Sequence, residues 1–180
     1  MNQRHIRGCQ ARRLGIREGG FSLVELLVAI TLLGLMAVVG LQQGQSSLAR
    51  QRLEGASRRL QQGIEQGRLA ALRSGRPCGL RLTAEGWRPG AGSLEGCALT
   101  LPPLADDGGQ LALQHNLPAE VRFTSNGLVI DGGTVVLAMA GTELRRCLVM
   151  ALPLGIVRLG RYSGASGSAP QAAACLPEEG

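Results

Sequence analysis

Gly19-Gly20-Phe21-Ser22-Leu23-Val24-Glu25 decides how the rest of the chain is read. It opens a run from Phe21 to Leu41 that is almost wholly apolar and holds one charge, Glu25. A lone carboxylate in a bilayer-length segment costs roughly 2.5–3.5 kcal/mol on insertion scales, so such a residue needs a partner or a job. The obvious partner is an amine. None is present in the run, but cutting the chain after Gly20 would create one at Phe21.

The residues before the run are basic. Arg4, Arg7, Arg12, Arg13 and Arg17 against Glu18 give residues 1–20 a charge of +4. The positive-inside rule then holds 1–20 in the cytoplasm and sends the C-terminal part outward. A secretory signal peptide fits less well. Its apolar core runs about 7–15 residues and ends in small residues, whereas here the small residues come first. Beyond Gly20 the chain keeps 14 arginines against 12 acids, so the overall +6 is weak evidence for nucleic acid. All 19 basic residues are arginine.

Gly-Phe-Ser-Leu-Val-Glu, with a basic leader before it and an apolar helix after it, resembles the signal of type IV prepilins and type II secretion pseudopilins. The resemblance implies cleavage between Gly20 and Phe21 by a prepilin peptidase and N-methylation of Phe21. It implies that Glu25 guides assembly by pairing with the amine of a neighbouring pilin in a helical filament. It also implies a single-pass protein of the bacterial inner membrane, with its C-terminal head in the periplasm or outside.

The chain divides accordingly into a leader (1–20), a transmembrane assembly helix (21–41), an amphipathic continuation (42–76), a β-rich head (77–162) and a flexible Gly/Ser/Ala-rich tail (163–180). In the continuation, Leu53, Ala56, Leu60, Ile64, Gly67 and Ala71 recur at steps of three and four, the mark of one apolar helix face. Arg50, Arg52, Arg58, Arg59, Gln61, Gln62, Glu65 and Arg68 occupy the other face. That face reads as solvated, or as a contact surface for neighbouring subunits or anionic headgroups. Ser74-Gly75-Arg76-Pro77 carries the stop signals.

From Cys78 onward short β-like runs alternate with turn residues. Cys78–Thr83, Cys97–Leu101, Leu111–Gln114, Glu120–Thr124, Leu128–Ile130, Thr134–Ala140, Leu144–Ala151 and Ile156–Leu159 are the expected strands. Gly86, Pro89-Gly90, Pro102-Pro103 and Asp106-Asp107-Gly108-Gly109 are among the separators. Asn126-Gly127 predicts a hairpin. The expected class is α+β, a long N-terminal helix (its first half transmembrane) packed on a small antiparallel β-sandwich head.

A narrower resemblance appears in the helix end, Gly67-Arg68-Leu69-Ala70-Ala71-Leu72-Arg73-Ser74-Gly75, and in the later blocks Val121-Arg122-Phe123, Gly133-Thr134-Val135-Val136-Leu137, Arg146-Cys147-Leu148-Val149-Met150 and Gly155-Ile156-Val157-Arg158. These look like the GspH/FimT-type minor pilins. That family implies a subunit which helps start filament assembly and protein secretion, with secreted cargo as a further partner. Some FimT-like members bind DNA during natural transformation through a C-terminal basic patch. The matching residues here are Arg145, Arg146, Arg158 and Arg161 with Tyr162.

Cys9 falls in the leader. Cys78, Cys97, Cys147 and Cys175 remain, an even number in a segment expected to face an oxidising compartment, which favours disulfides. Three connectivities are open, and the sequence-near one, Cys78–Cys97 with Cys147–Cys175, is preferred. Metal is not expected, because close-spaced ligand pairs are missing and the only histidine after the leader is His115. No cofactor is expected either. The chain has no G-x-S-x-G, no P-loop and no dinucleotide fingerprint, so no enzyme is indicated.

Overall fold

A computed structural model describes residue 20 and residues 22–105, 111–152 and 155–177, with the side chains of 39–43 left out of the description. The chain divides into two units, Met1–Gly40 and Leu41–Gly180.

One helix, α1 (Leu23–Ser74), runs from the first unit into the second. Ser22 starts it: its Oγ accepts the Val24 N–H at 3.3 Å, and its carbonyl accepts the Leu26 N–H at 3.0 Å. That satisfies donors which a helix start otherwise leaves open. Gly75, at φ 63°, ends it in the left-handed conformation that a glycine C-cap supplies. In the first unit every described side chain of α1 faces solvent, from Leu23 at 74% exposure to Met36 at 75%.

In the second unit α1 buries the stripe Leu53, Ala56, Leu60, Ile64 and Ala71. Two antiparallel sheets receive it. One is β2-β1-β4, from β1 (Cys78–Thr83), β2 (Gly86–Pro89) and β4 (Val121–Phe123). The other is β3-β5-β6-β7-β8, from β3 (Leu111–His115), β5 (Gly133–Met139), β6 (Arg145–Ala151), β7 (Ile156–Tyr162) and β8 (Cys175–Leu176). Alternation along the strands makes two cores. Val135, Leu137 and Met139 of β5 and Leu148 and Met150 of β6 join the helix stripe. The intervening Val136, Cys147 and Val149 lie on the other face with Tyr162 and Cys175.

The helix sits close to the smaller sheet because two glycines leave room. A Cβ on Gly63 would stand 2.0 Å from Trp87 Cδ1, and one on Gly67 2.8 Å from Phe123 Cζ. Trp87 is buried there and donates its indole N–H to the Leu60 carbonyl at 2.9 Å.

The expected α+β class, a long helix on antiparallel sheets, is what the chain forms. Individual strands differ. Cys97–Leu101 forms no strand: Cys97 N–H reaches the Gly79 carbonyl at 3.0 Å beside a single Gly79–Gly96 bridge, and Pro102-Pro103 follows. Leu128–Ile130 likewise shrinks to one Phe123–Val129 bridge across the Asn126-Gly127 turn. That turn is closed by Gly127 N–H to the Thr124 carbonyl at 2.8 Å, with Gly127 at φ 70°. β2 and β8 form where turn and tail composition pointed to none. The segment after Tyr162 holds a short 3-10 helix, Ala172–Ala174, and then β8, which pairs with the end of β7.

Candidate functional site

The N-terminal signal lies at the start of the first unit. Gly20 is exposed, has no regular structure and precedes the capping Ser22. Phe21 and the leader arginines fall outside the described residues. Glu25 occupies the first turn of α1. Ser22-Leu23-Val24-Glu25 has the S-x-x-E spacing of a capping box, a pattern already present in the sequence beside the more conspicuous lone charge. It places the Glu25 carboxylate where the helix dipole favours negative charge. Among the described residues no helix is long and apolar enough to cross a membrane. The described side chains of the apolar run stop at Val38, while the run itself continues through Val39 to Leu41.

The cysteines form two disulfides, Cys78–Cys97 and Cys147–Cys175. The first ties β1 to the loop before Ala98. The second ties β6 to β8 and so holds the C-terminal segment over the outer face of the larger sheet. Among the described residues no group of three or more His, Cys, Asp and Glu is placed to hold a metal ion.

The four arginines considered for DNA do not share one surface. Arg145 and Arg146 are neighbours on β6 and so point to opposite faces. Arg145 goes to the outer face, 5.2 Å from the centre of the Tyr162 ring, and donates to the Gly164 carbonyl of the C-terminal segment. Arg158 is on that side too, with its guanidinium 3.4 Å from the Ala172 carbonyl. Arg146 points to the helix side and pairs with Glu54 of α1, leaving its side chain 11% exposed. Arg161 is in register with Arg146 across β6 and β7, and it is exposed.

A second arginine pair is well formed. Arg122 Nε and its backbone N–H both donate to Asp131 Oδ2, at 3.0 and 2.9 Å, and Nη2 donates to Oδ1 at 2.8 Å. These hydrogen bonds hold the Asp131 carboxyl below the usual carboxylate range, with burial opposing them. They also raise Arg122.

A capped helix with an apolar, solvent-facing first part and a small two-sheet head on its second part defines a pilin-like subunit. The prokaryotic N-terminal methylation motif matches residues 16–41. The family described as type II transport protein GspH matches residues 56–153, more than half of the chain, and the chain belongs to that family. Neither a curated protein nor a solved structure matches it significantly. The family is one of structural, non-enzymatic subunits, and the methylation motif implies processing by a peptidase and assembly with other pilins.

Proposed function

We propose that this chain is a minor subunit of a type II secretion pseudopilus or a type IV pilus, held in the inner membrane by residues 21–41 and helping to start filament assembly and secretion. In this reading a prepilin peptidase cuts between Gly20 and Phe21, and the Phe21 amine is methylated. The observation that carries it is the methylation motif over 16–41, coinciding with an α1 segment whose described side chains bury nothing within the chain. A helix that is apolar all round is stable only when something else covers it. Lipid, and then neighbouring helices, provide that cover. The two disulfides support a head that matures in an oxidising compartment.

Intact-mass analysis of the protein from native membranes, before and after reduction, tests the reading. The expected product begins at methylated Phe21 and gains about 4 Da on reduction, two hydrogens for each disulfide opened. Recovery of a chain still carrying Met1–Gly20 would end the filament assignment.

The DNA-binding alternative gains no support from the placement of Arg145, Arg146, Arg158 and Arg161 on two faces of one sheet. It predicts binding to duplex DNA that weakens steeply with salt. Absence of binding at low salt removes it.

A further inference from the structure

Two arginine side chains line one cavity of the head. Arg50 comes from α1 and Arg161 from the end of β7, and both line a space of about 680 Å³ together with Ser46, Thr142 and Glu143. The nearby charges are arranged so that this space stays positive. Arg161 stands opposite Arg146 in the sheet register, and like charges directly opposite repel. Glu54 relieves Arg146 by pairing with it. That pairing uses the carboxylate that lies four residues beyond Arg50 on the same helix face. Among the described residues neither the Arg50 nor the Arg161 guanidinium has a hydrogen-bond or ion-pair partner. Among the described residues of the lining Glu143 is the one acid, and it is exposed, so the lining carries two arginines against one carboxylate. Thr142 Oγ1 accepts the Leu144 N–H at 3.2 Å, which leaves its own proton to donate.

We propose that this cavity binds a phosphate group, and that in the membrane the group is the headgroup phosphate of an anionic phospholipid. Guanidinium forks match the tetrahedral oxygens of phosphate, and a hydroxyl adds a neutral donor. The level along the helix fits a lipid. Ser46 lies roughly 7 Å beyond Leu41 and Arg50 roughly 13 Å, at 1.5 Å per residue. The polar layer outside the hydrocarbon is roughly 5–8 Å deep, and an arginine stem reaches several ångströms back toward it. The lipid source rests on the membrane-anchored reading above; the phosphate site does not.

The test is hydrogen exchange on the full chain. It would be measured in nanodiscs of neutral phosphatidylcholine, in nanodiscs containing phosphatidylglycerol, and in neutral detergent with and without inorganic phosphate. Amides of 141–144 and 157–162 are expected to slow by about fivefold when ligand stands near four times its Kd. The difference should vanish in the Arg50→Gln/Arg161→Gln variant, while Trp87 fluorescence confirms that this variant is folded. Slowing in phosphatidylglycerol beyond that in phosphatidylcholine, whose phosphate is neutralised by its own choline, identifies the anionic lipid. Slowing by inorganic phosphate as well shows that the site also takes the free anion. Equal exchange in all conditions, or slowing that survives the double variant, overturns the site. Slowing that follows protein density in neutral lipid points to an acidic side chain of a second copy and also overturns it. A chain that fails to enter nanodiscs counts against the membrane anchor, and the phosphate arm in detergent then decides the site alone.

Discussion

Gly55 and Gly63 lie about two turns apart on α1, and the same substitution should move stability in opposite directions at the two. A Cβ at Gly55 meets nothing within 4 Å, so Gly55→Ala should gain up to about 1 kcal/mol from helix propensity. A Cβ at Gly63 would occupy the place of Trp87 Cδ1, so Gly63→Ala must push out the indole and break its bond to Leu60. A net loss of about 1–3 kcal/mol is expected. Urea unfolding followed by Trp87, the only tryptophan, reads both. Gly67 was legible on the apolar stripe from spacing alone, but Gly63 was not. In sequence a helical glycine is only a weak point, and what it makes room for is decided by a residue more than twenty positions away. The Asp131–Arg122 pair was equally hidden, because its partners sit on either side of a turn whose exact course sequence does not specify. Since Asp131 titrates below its ordinary range, its contribution is present above about pH 4 and lost as pH falls through the folded value. Asp131→Asn should therefore lower Tm at pH 7, and the gap from the parent protein should close as pH falls below the ordinary carboxylate range. A gap that stays constant with pH would show that the substitution acts through packing instead.

At the scale of elements, the helix and most strands were legible, the short edge strands β3 and β4 among them, but the edge strands β2 and β8 were not. The helix and the strands β1, β5, β6 and β7 follow from apolar periodicity, since their inward positions must meet a core. β2 was obscured by Gly86 and Pro89, which read as punctuation. It is an edge strand, where a missing proline N–H costs little. β8 was obscured by tail composition. It has two residues, and it is fixed by Cys175 bonding to Cys147 and by its pairing with Arg161 and Tyr162. The sequence-near disulfide pairing was accessible only as one of three choices. Its physical consequence is clear: a bridge spanning 28 residues removes about 3–4 kcal/mol of unfolded-chain entropy in the loop-closure estimate. Cys147→Ala/Cys175→Ala should cost about that much. It should also make 163–177 the first site of limited proteolysis while the helix-side core, with Trp87, stays folded. Simultaneous loss of both would mean that the C-terminal segment is integral to the head rather than strapped onto it.

At the scale of the whole molecule, one helix serves two environments. Its second part buries a stripe in its own head, and its first part shows Leu, Ile, Val and Met to whatever surrounds it. In the proposed reading Glu25 makes this arrangement selective. In a bilayer its charge costs roughly 2.5–3.5 kcal/mol. Its place in the first turn of α1 returns about 0.3–1 kcal/mol through the helix dipole. A deficit of about 2 kcal/mol is left, and in the proposed reading the amine of a neighbouring mature chain meets it only in the correct axial register. Glu25→Ala removes the deficit and the register signal together. The variant should insert in the membrane and be cut after Gly20 as readily as the parent chain, yet enter filaments at a level reduced about tenfold or more, the factor that about 1.4 kcal/mol represents. The readout is the ratio of filament-borne to membrane-borne mature subunit in sheared preparations. Glu25→Gln separates charge from polarity, since it keeps the shape and a hydrogen-bonding group. If Glu25→Gln assembles like the parent while Glu25→Ala does not, a hydrogen bond suffices and the ion pair is unnecessary. If both assemble normally, register is set by the packing of the apolar faces and Glu25 contributes only through its place in the first turn of α1.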